Sequence, residues 1–253
     1  MWAVVLIYLG IVVYYVNSYI GQLFGVEPVM FYFFFPLTVK VYQLILSGSL
    51  AFFFLYRYYE LHKGGDIGHW WGLGFLFLAI SAVYDIVMIT TKTTNLFAFA
   101  VRVILIAPSL GFRIGGTLKF FTDKDKIVNA ISLAVSVAFA GLVDFCYLAL
   151  NNFLLGNQVA TIIFIAPTEW GIGAAFLFIW HKRRLKGLLM VAFGMCMTGT
   201  FNFFWTIINL ATTPGNVFTI TYSIFNLILL QGGFLLLFVG LIVARNQLKT
   251  LKN

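Results

Sequence analysis

A single carboxylate, Glu169, lies in the otherwise uncharged apolar stretch 159–180, two residues after Pro167 and next to Thr168. Proline has no backbone N–H, and its ring clashes with the carbonyl four residues earlier, so Pro167 predicts a break in the helix. A carboxylate beside carbonyls freed in this way could coordinate a cation or exchange a proton. The alternative is a plain kink, in which the Thr168 hydroxyl bonds back to its own helix.

Four other ionisable residues also fall inside apolar stretches, where a charge is by default a candidate functional residue. Counted at 1.5 Å per residue, all five would lie in one half of the membrane, with Glu169 closest to the middle. This placement predicts one polar cluster that binds a substrate or an ion. Structural ion pairs, such as Arg102 with Asp85, are the first alternative, and Lys40 with Glu169 would be another such pair. Unrelated charges at the membrane interface are the second. The four residues are Lys40, Asp85, Arg102 and Asp144.

The composition indicates the elements that must position these charges. Hydrophobic residues make up 62% of the 253 residues and charged residues 9%, against about 25% charged in globular domains. Each membrane crossing takes roughly 20 residues. The sequence therefore predicts an all-α polytopic membrane bundle of about eight transmembrane helices in a single domain, 1–253, with no soluble domain. Reading the first two apolar runs as one interrupted element gives seven helices as the alternative. The predicted spans are about 2–24, 31–58, 70–90, 96–112, 127–150, 159–180, 187–210 and 217–244.

Positive charge is distributed unevenly over this topology. With eight spans and cytoplasmic N- and C-termini, all of the 16 Lys and Arg residues fall on the cytoplasmic side except Lys40, Lys92 and Arg102. Because basic residues favour cytoplasmic loops, we expect an integral protein of the plasma membrane in this orientation. The count places Arg113 in a cytoplasmic segment, 113–126. The basic run 181–186 is interpreted as a topology-setting loop, with binding of anionic lipid or a partner as the alternative.

Small residues predict where the helices pack. Gly111 and Gly115 form a GxxxG motif at the end of the fourth span, and Ser132 and Ser136 thin the fifth span. Glycines and alanines at 171–175 give the same signal directly after Glu169.

The two halves of the chain, 1–126 and 127–253, resemble each other in places. Residues 51–57 and 175–181 share a pattern, and each precedes a basic loop and a Gly-Leu pair. A parallel repeat of four helices each would place a transport site at the interface of the halves. Similar composition of apolar helices is the alternative explanation.

Sequence motifs for catalysis are missing. We find no Gly-x-Ser-x-Gly, no paired His-Glu zinc motif and no phosphate-binding glycine loop. The histidines His62, His69 and His181 lie at span ends, which argues against a haem or metal site in the membrane. We therefore expect no cofactor, and an enzyme acting on lipid remains only the third interpretation, after the two given next.

Together these patterns favour a small secondary transporter or ion-coupled carrier centred on Glu169. The alternative is a non-catalytic membrane subunit or scaffold of a larger complex, or a membrane sensor that signals through partner proteins. The expected partners are the lipid bilayer and other membrane subunits or further copies of the chain. Nucleic acid is not an expected partner, because the net charge of +8 is explained by membrane orientation. The predicted substrate- or ion-binding residues are Glu169, Asp144, Asp85, Arg102 and Lys40.

Overall fold

The computed structural model describes residues 31–59, 65–91, 96–150, 153–211 and 225–250. These residues are helical apart from 119–124 and 184–185. Two π-helical turns interrupt the series, one at Thr161–Ile165 between α5 and α6 and one at Asn226–Gln231 before α8. The α-helices are α1 Phe31–Tyr59, α2 Gly65–Thr91, α3 Leu96–Leu118, α4 Asp125–Leu150, α5 Phe153–Ala160, α6 Ala166–Arg183, α7 Lys186–Ala211 and α8 Gly232–Thr250.

Seven segments of the described chain are long and apolar enough to cross a membrane, with mean hydropathies from 1.4 to 2.1. They overlap the predicted second to eighth spans, and their number equals that of the seven-helix alternative. The predicted start of the eighth span, 217–224, lies outside the described residues. The predicted first span, 2–24, lies outside the described residues. The predicted all-α bundle is confirmed, and the chain is a multi-pass helical membrane protein. The segments are Leu37–Tyr56, Ile67–Thr91, Ala100–Leu118, Asp125–Ala149, Leu155–Arg183, Lys186–Ile208 and Ile228–Gln247.

Two predicted boundaries are wrong. The fourth span does not end at residue 112, because α3 continues to Leu118 and carries Arg113 into the bundle. The segment 151–158, which the predicted fifth and sixth spans leave as a turn between them, is helical from Phe153 onward. Gly156, a turn former by residue type, instead allows close packing. A Cβ at this position would lie 2.8 Å from Cys146 Cβ and 2.9 Å from the Val143 carbonyl oxygen of α4.

Helices that follow one another in the chain pack as neighbours, except α5 and α6, which the π-turn joins end to end. α8 also returns to contact α1. One core joins α1, α2, α6, α7 and α8 around large buried side chains such as Trp71, Phe75 and Met195. A second core joins α3, α4 and α5 around Leu110 and Phe139. Since α3 packs against α2 and also contacts α6, the two cores adjoin along α3.

The small-residue prediction is confirmed where α3 meets α4. A Cβ at Gly111 would collide with Ser136 Oγ and lie 2.6 Å from the Ser132 carbonyl oxygen. The Ser136 hydroxyl also donates to the Ala107 carbonyl across this contact, at 3.0 Å. For Gly171 the prediction is wrong, because a Cβ there would meet nothing within 4 Å and the residue is exposed.

Candidate functional site

Glu169 lies on α6 at the midpoint of the span Leu155–Arg183 and is 2% exposed. Its Oε1 accepts a hydrogen bond from Arg113 Nη1 of α3 at 3.4 Å. Its Oε2 accepts a shorter one, 2.7 Å, from Asn202 Nδ2 of α7. Thr198, one turn before Asn202, is a further neighbour of the carboxylate. Three helices therefore converge on one buried acid.

Arg113 is the partner of Glu169, and its predicted place in a cytoplasmic segment is wrong. The structure places it inside α3, 3% exposed, where its Nε also reaches the Ser109 carbonyl oxygen at 3.4 Å. The sequence does allow the helix to continue past Arg113, since residues 114–118 are uncharged and contain no proline. A lone buried cation costs several kcal/mol, so the position of Arg113 depends on Glu169.

The predicted helix break at Pro167 takes the form of a change in helical register. In the π-turn Thr161–Ile165, the following Ala166 N–H donates to the carbonyl five residues before it. Pro167 comes next and offers no N–H. The Thr168 hydroxyl donates to the Phe164 carbonyl oxygen at 2.6 Å, so the back-bonding alternative is formed. The helix continues through the break and carries Glu169 into the core.

Three of the predicted charged residues form a second group, which we call the Asp85 cluster: Lys40, Asp85 and Arg102. Lys40 Nζ lies 2.6 Å from Asp85 Oδ2, and Arg102 Nε donates to Asp85 Oδ1 at 2.9 Å. The Arg102–Asp85 pair is one of the predicted pairs, whereas Lys40 pairs with Asp85 and not with Glu169. The two basic side chains are 25% and 28% exposed and that of Asp85 is 10% exposed. Two cations share one carboxylate, which joins α1, α2 and α3.

The five predicted site residues do not converge on one cluster. Arg102 and Arg113 both lie on α3 but are about 16 Å apart along its axis, so the Asp85 cluster and the Glu169 contact are separate. Asp144 joins neither group, since it is exposed on the face of α4 that also presents Val137 and Phe145. Counting residues from the ends of a span gives the depth of a side chain in the membrane but not the helix face on which it lies. Residues of similar depth can therefore lie far apart, as these five do.

The chemistry open to this site is that of one carboxylate. In the part of the chain that the structure describes, no group of three or more His, Cys, Asp or Glu side chains could hold a metal ion. Glu169 could bind a proton or a monovalent cation. Either one would neutralise the charge that balances Arg113, so occupancy of the carboxylate and placement of the guanidinium are linked.

Fold and site together define a multi-pass helical membrane protein with a buried carboxylate–guanidinium contact at the middle of a spanning helix. No protein-family model, no curated protein and no solved structure matches the chain. Its function is therefore inferred from the geometry alone.

Proposed function

We propose that the chain is a small secondary transporter, an ion-coupled carrier in which Glu169 binds and releases the coupling ion. The observation that carries this proposal is the buried contact of Glu169 with Arg113 and Asn202 at the midpoint of a spanning helix. Ionisable groups inside membrane helices are costly and mark ion pathways and proton relays.

Coupling follows from the charge balance of the pair. In the ionised state, Glu169 neutralises Arg113 across the contact between α6 and α3. When a proton or cation neutralises the carboxylate, Arg113 becomes a buried charge without a counter-ion, which costs several kcal/mol. Movement of α3 relative to α6 relieves this cost, because the guanidinium then reaches water or a substrate anion. Ion binding thereby biases one of two helix arrangements.

The π-turn Thr161–Ile165 and Pro167 provide the hinge for this movement. Both weaken the backbone ladder directly before Glu169. π-Turns are frequent at functional sites, and transporters bind their ions at interrupted helices near the membrane midplane.

The Asp85 cluster serves as the gate at one end of the bundle. It ties α1, α2 and α3 together through a single carboxylate, and its side chains are partly exposed. Arg102 shares α3 with Arg113, so a displacement of α3 alters both contacts. With the basic loops in the cytoplasm of a plasma-membrane protein, this gate faces outward, and Lys40 and Arg102 are the first charges that a substrate meets.

Flux through proteoliposomes tests the carrier. Vesicles containing the purified chain are loaded with the pH dye pyranine and given an inward proton gradient, or loaded with a Na⁺-sensitive dye and given an inward Na⁺ gradient. They are then challenged in turn with amino acids, organic acids, sugars and organic cations. At least one solute should change the internal pH or the internal Na⁺ concentration in the wild type and in Asp123→Asn, an exposed carboxylate-to-amide control, but not in Glu169→Gln. Equal flux in Glu169→Gln, or no flux with any solute in the wild type, contradicts the proposal.

A membrane subunit of a larger complex is the second candidate, and the exposed face of α4 favours it. Asp144 lies there beside Gly141 and Phe145, and 22% of the α4 span is buried, the smallest share of the seven spans. A carboxylate on an apolar outer face fits a partner helix that carries a cation. Purification under mild detergent decides between the candidates, since a subunit co-purifies with stoichiometric partners that Asp144→Leu removes.

A further inference from the structure

A cavity of about 570 Å³ lies between α3, α4 and the segment formed by the π-turn and α6. Its rim includes three apolar side chains that are about half exposed, Ile163 at 51%, Phe121 at 54% and Phe178 at 50%. The opening therefore faces outward from the bundle. In a membrane-spanning protein, this outward direction leads to lipid acyl chains.

The wall of the cavity offers no free hydrogen-bond donor to a polar ligand. Its hydroxyl-bearing residues are Thr117 and Thr168, and each donates to the carbonyl four residues earlier in its own helix, at 2.8 and 2.6 Å. Gly171 widens the middle of the cavity, because no atom lies within 4 Å of its would-be Cβ. An unbranched hydrocarbon chain fits this lining.

The cavity crosses the middle of the α6 span and extends towards one end of the bundle, which we call the basic end: there α3 and α6 end and α4 and α7 begin. Ile163 and Phe178 are about 22 Å apart along the helix axis, and Phe178 packs near Phe121 at a ring-centroid distance of 6.2 Å. This length exceeds half of the roughly 30 Å hydrocarbon core. The exposed basic residues that the structure describes at this end are Lys124, Lys126, Lys182, Arg183, Arg184, Lys186 and, on α8 away from the cavity wall, Arg245.

Positive charge lies directly at the mouth of the cavity. The ammonium of Lys182 is 4.3 Å from the centroid of the Phe178 ring, and Phe178 belongs to the cavity wall. Lys and Arg side chains near a membrane surface each attract anionic lipid with about 1 kcal/mol. An anionic headgroup at Lys182 would place its acyl chain beside Phe178 and Gly171.

From this combination we infer that the cavity is a binding site for an anionic phospholipid, with one acyl chain inside it and the phosphate at Lys182. The cavity cannot enclose a whole transmembrane helix, since a helix with a diameter of about 10 Å and a length of about 22 Å fills roughly 1,700 Å³, well above the cavity volume. The narrower acyl chain fits inside it. The lipid site is independent of the proposed carrier activity.

Native mass spectrometry of the delipidated full-length protein tests the site, with dioleoylphosphatidylglycerol or dioleoylphosphatidylcholine added back. The wild type should retain one phosphatidylglycerol per chain in preference to phosphatidylcholine. Gly171→Trp, which fills the cavity, should lower this retention at least tenfold. Gly141→Trp is the matched control, because Gly141 is also exposed with nothing within 4 Å of its would-be Cβ.

The headgroup contact is tested by charge removal. Lys182→Ala should reduce the preference for phosphatidylglycerol about fivefold, whereas Arg245→Ala, an exposed cation on α8, should leave it unchanged. Equal loss in both variants, equal binding of the two lipids, or full retention in Gly171→Trp overturns the inference. A dimer that Gly171→Trp dissociates also overturns it, since a second copy would then occupy the cavity. Should Gly171→Trp fail to fold, Gly171→Leu and the lysine variant decide.

Discussion

Arg113 Nη1 and Glu169 Oε1 face each other at 3.4 Å across the contact of α3 and α6, with both side chains no more than 4% exposed. Each charge is buried only because the other is present. Folding and the proposed ion binding therefore depend on the same two residues.

Removing one member of this pair should cost more stability than removing both. Arg113→Ala leaves the Glu169 carboxylate buried and unpaired, which should lower the free energy of unfolding by about 3–5 kcal/mol. An Arg113→Leu/Glu169→Leu double variant should lie closer to the wild type, because neither charge remains. Unfolding in mixed micelles with SDS measures the difference, with Arg245→Ala expected within about 0.5 kcal/mol of the wild type. A double variant as unstable as Arg113→Ala would rule out mutual compensation.

The sequence predicts the position of Glu169 along its helix but not its pairing with Arg113. Apolar run length located seven helices, and the midpoint position of Glu169 followed from counting residues. The partner of Glu169 did not follow, because an arginine at the end of an apolar run is compatible with either a loop or a helix. The sequence also did not predict which face of its helix each charged residue occupies. Asp144 and Asp85 have similar sequence surroundings, yet Asp85 faces two cations and Asp144 faces outward.

Two glycine-to-alanine substitutions should have opposite effects. At Gly111, a new Cβ would lie 2.6 Å from the Ser132 carbonyl oxygen of α4, so Gly111→Ala should destabilise the protein by about 1–3 kcal/mol through overpacking. At Gly141 the space is open, so Gly141→Ala should stabilise it by up to about 1 kcal/mol through helix propensity. Thermal unfolding in detergent measures the stabilities of the two variants relative to the wild type. Equal shifts would mean that α3 and α4 do not approach closely.

Within the Asp85 cluster, substitution of Asp85 should lower the stability more than substitution of either cation. Lys40→Ala removes one partly exposed partner and should cost about 0.5–1 kcal/mol. Asp85→Asn removes the shared carboxylate and leaves two cations together, so its cost should be larger than that of either cation. In the Asp85→Asn background, Lys40→Ala should cause no further loss. A double-mutant cycle of unfolding free energies measures this coupling, and full additivity would contradict the shared contact.

Pro167→Ala should raise the stability of the protein and lower its transport rate. The new N–H can complete the backbone ladder, and removing a helix-interior proline is worth up to about 3 kcal/mol. A straighter and more stable α6 should move less, so solute flux in proteoliposomes should fall while the unfolding temperature rises. A variant with unchanged flux would show that the register change before Glu169 does not act as a hinge.

Ion binding to Glu169 is measured most directly by charge displacement on a solid-supported membrane, which needs no knowledge of the substrate. Vesicles containing the protein are exposed to a rapid jump in proton or Na⁺ concentration, and the transient current is recorded. The wild type and Asp123→Asn should give a current that saturates with ion concentration, because the ion moves to a carboxylate at the midpoint of a spanning helix. Glu169→Gln should give none. A transient of equal size in Glu169→Gln would contradict the role of Glu169 as the coupling site.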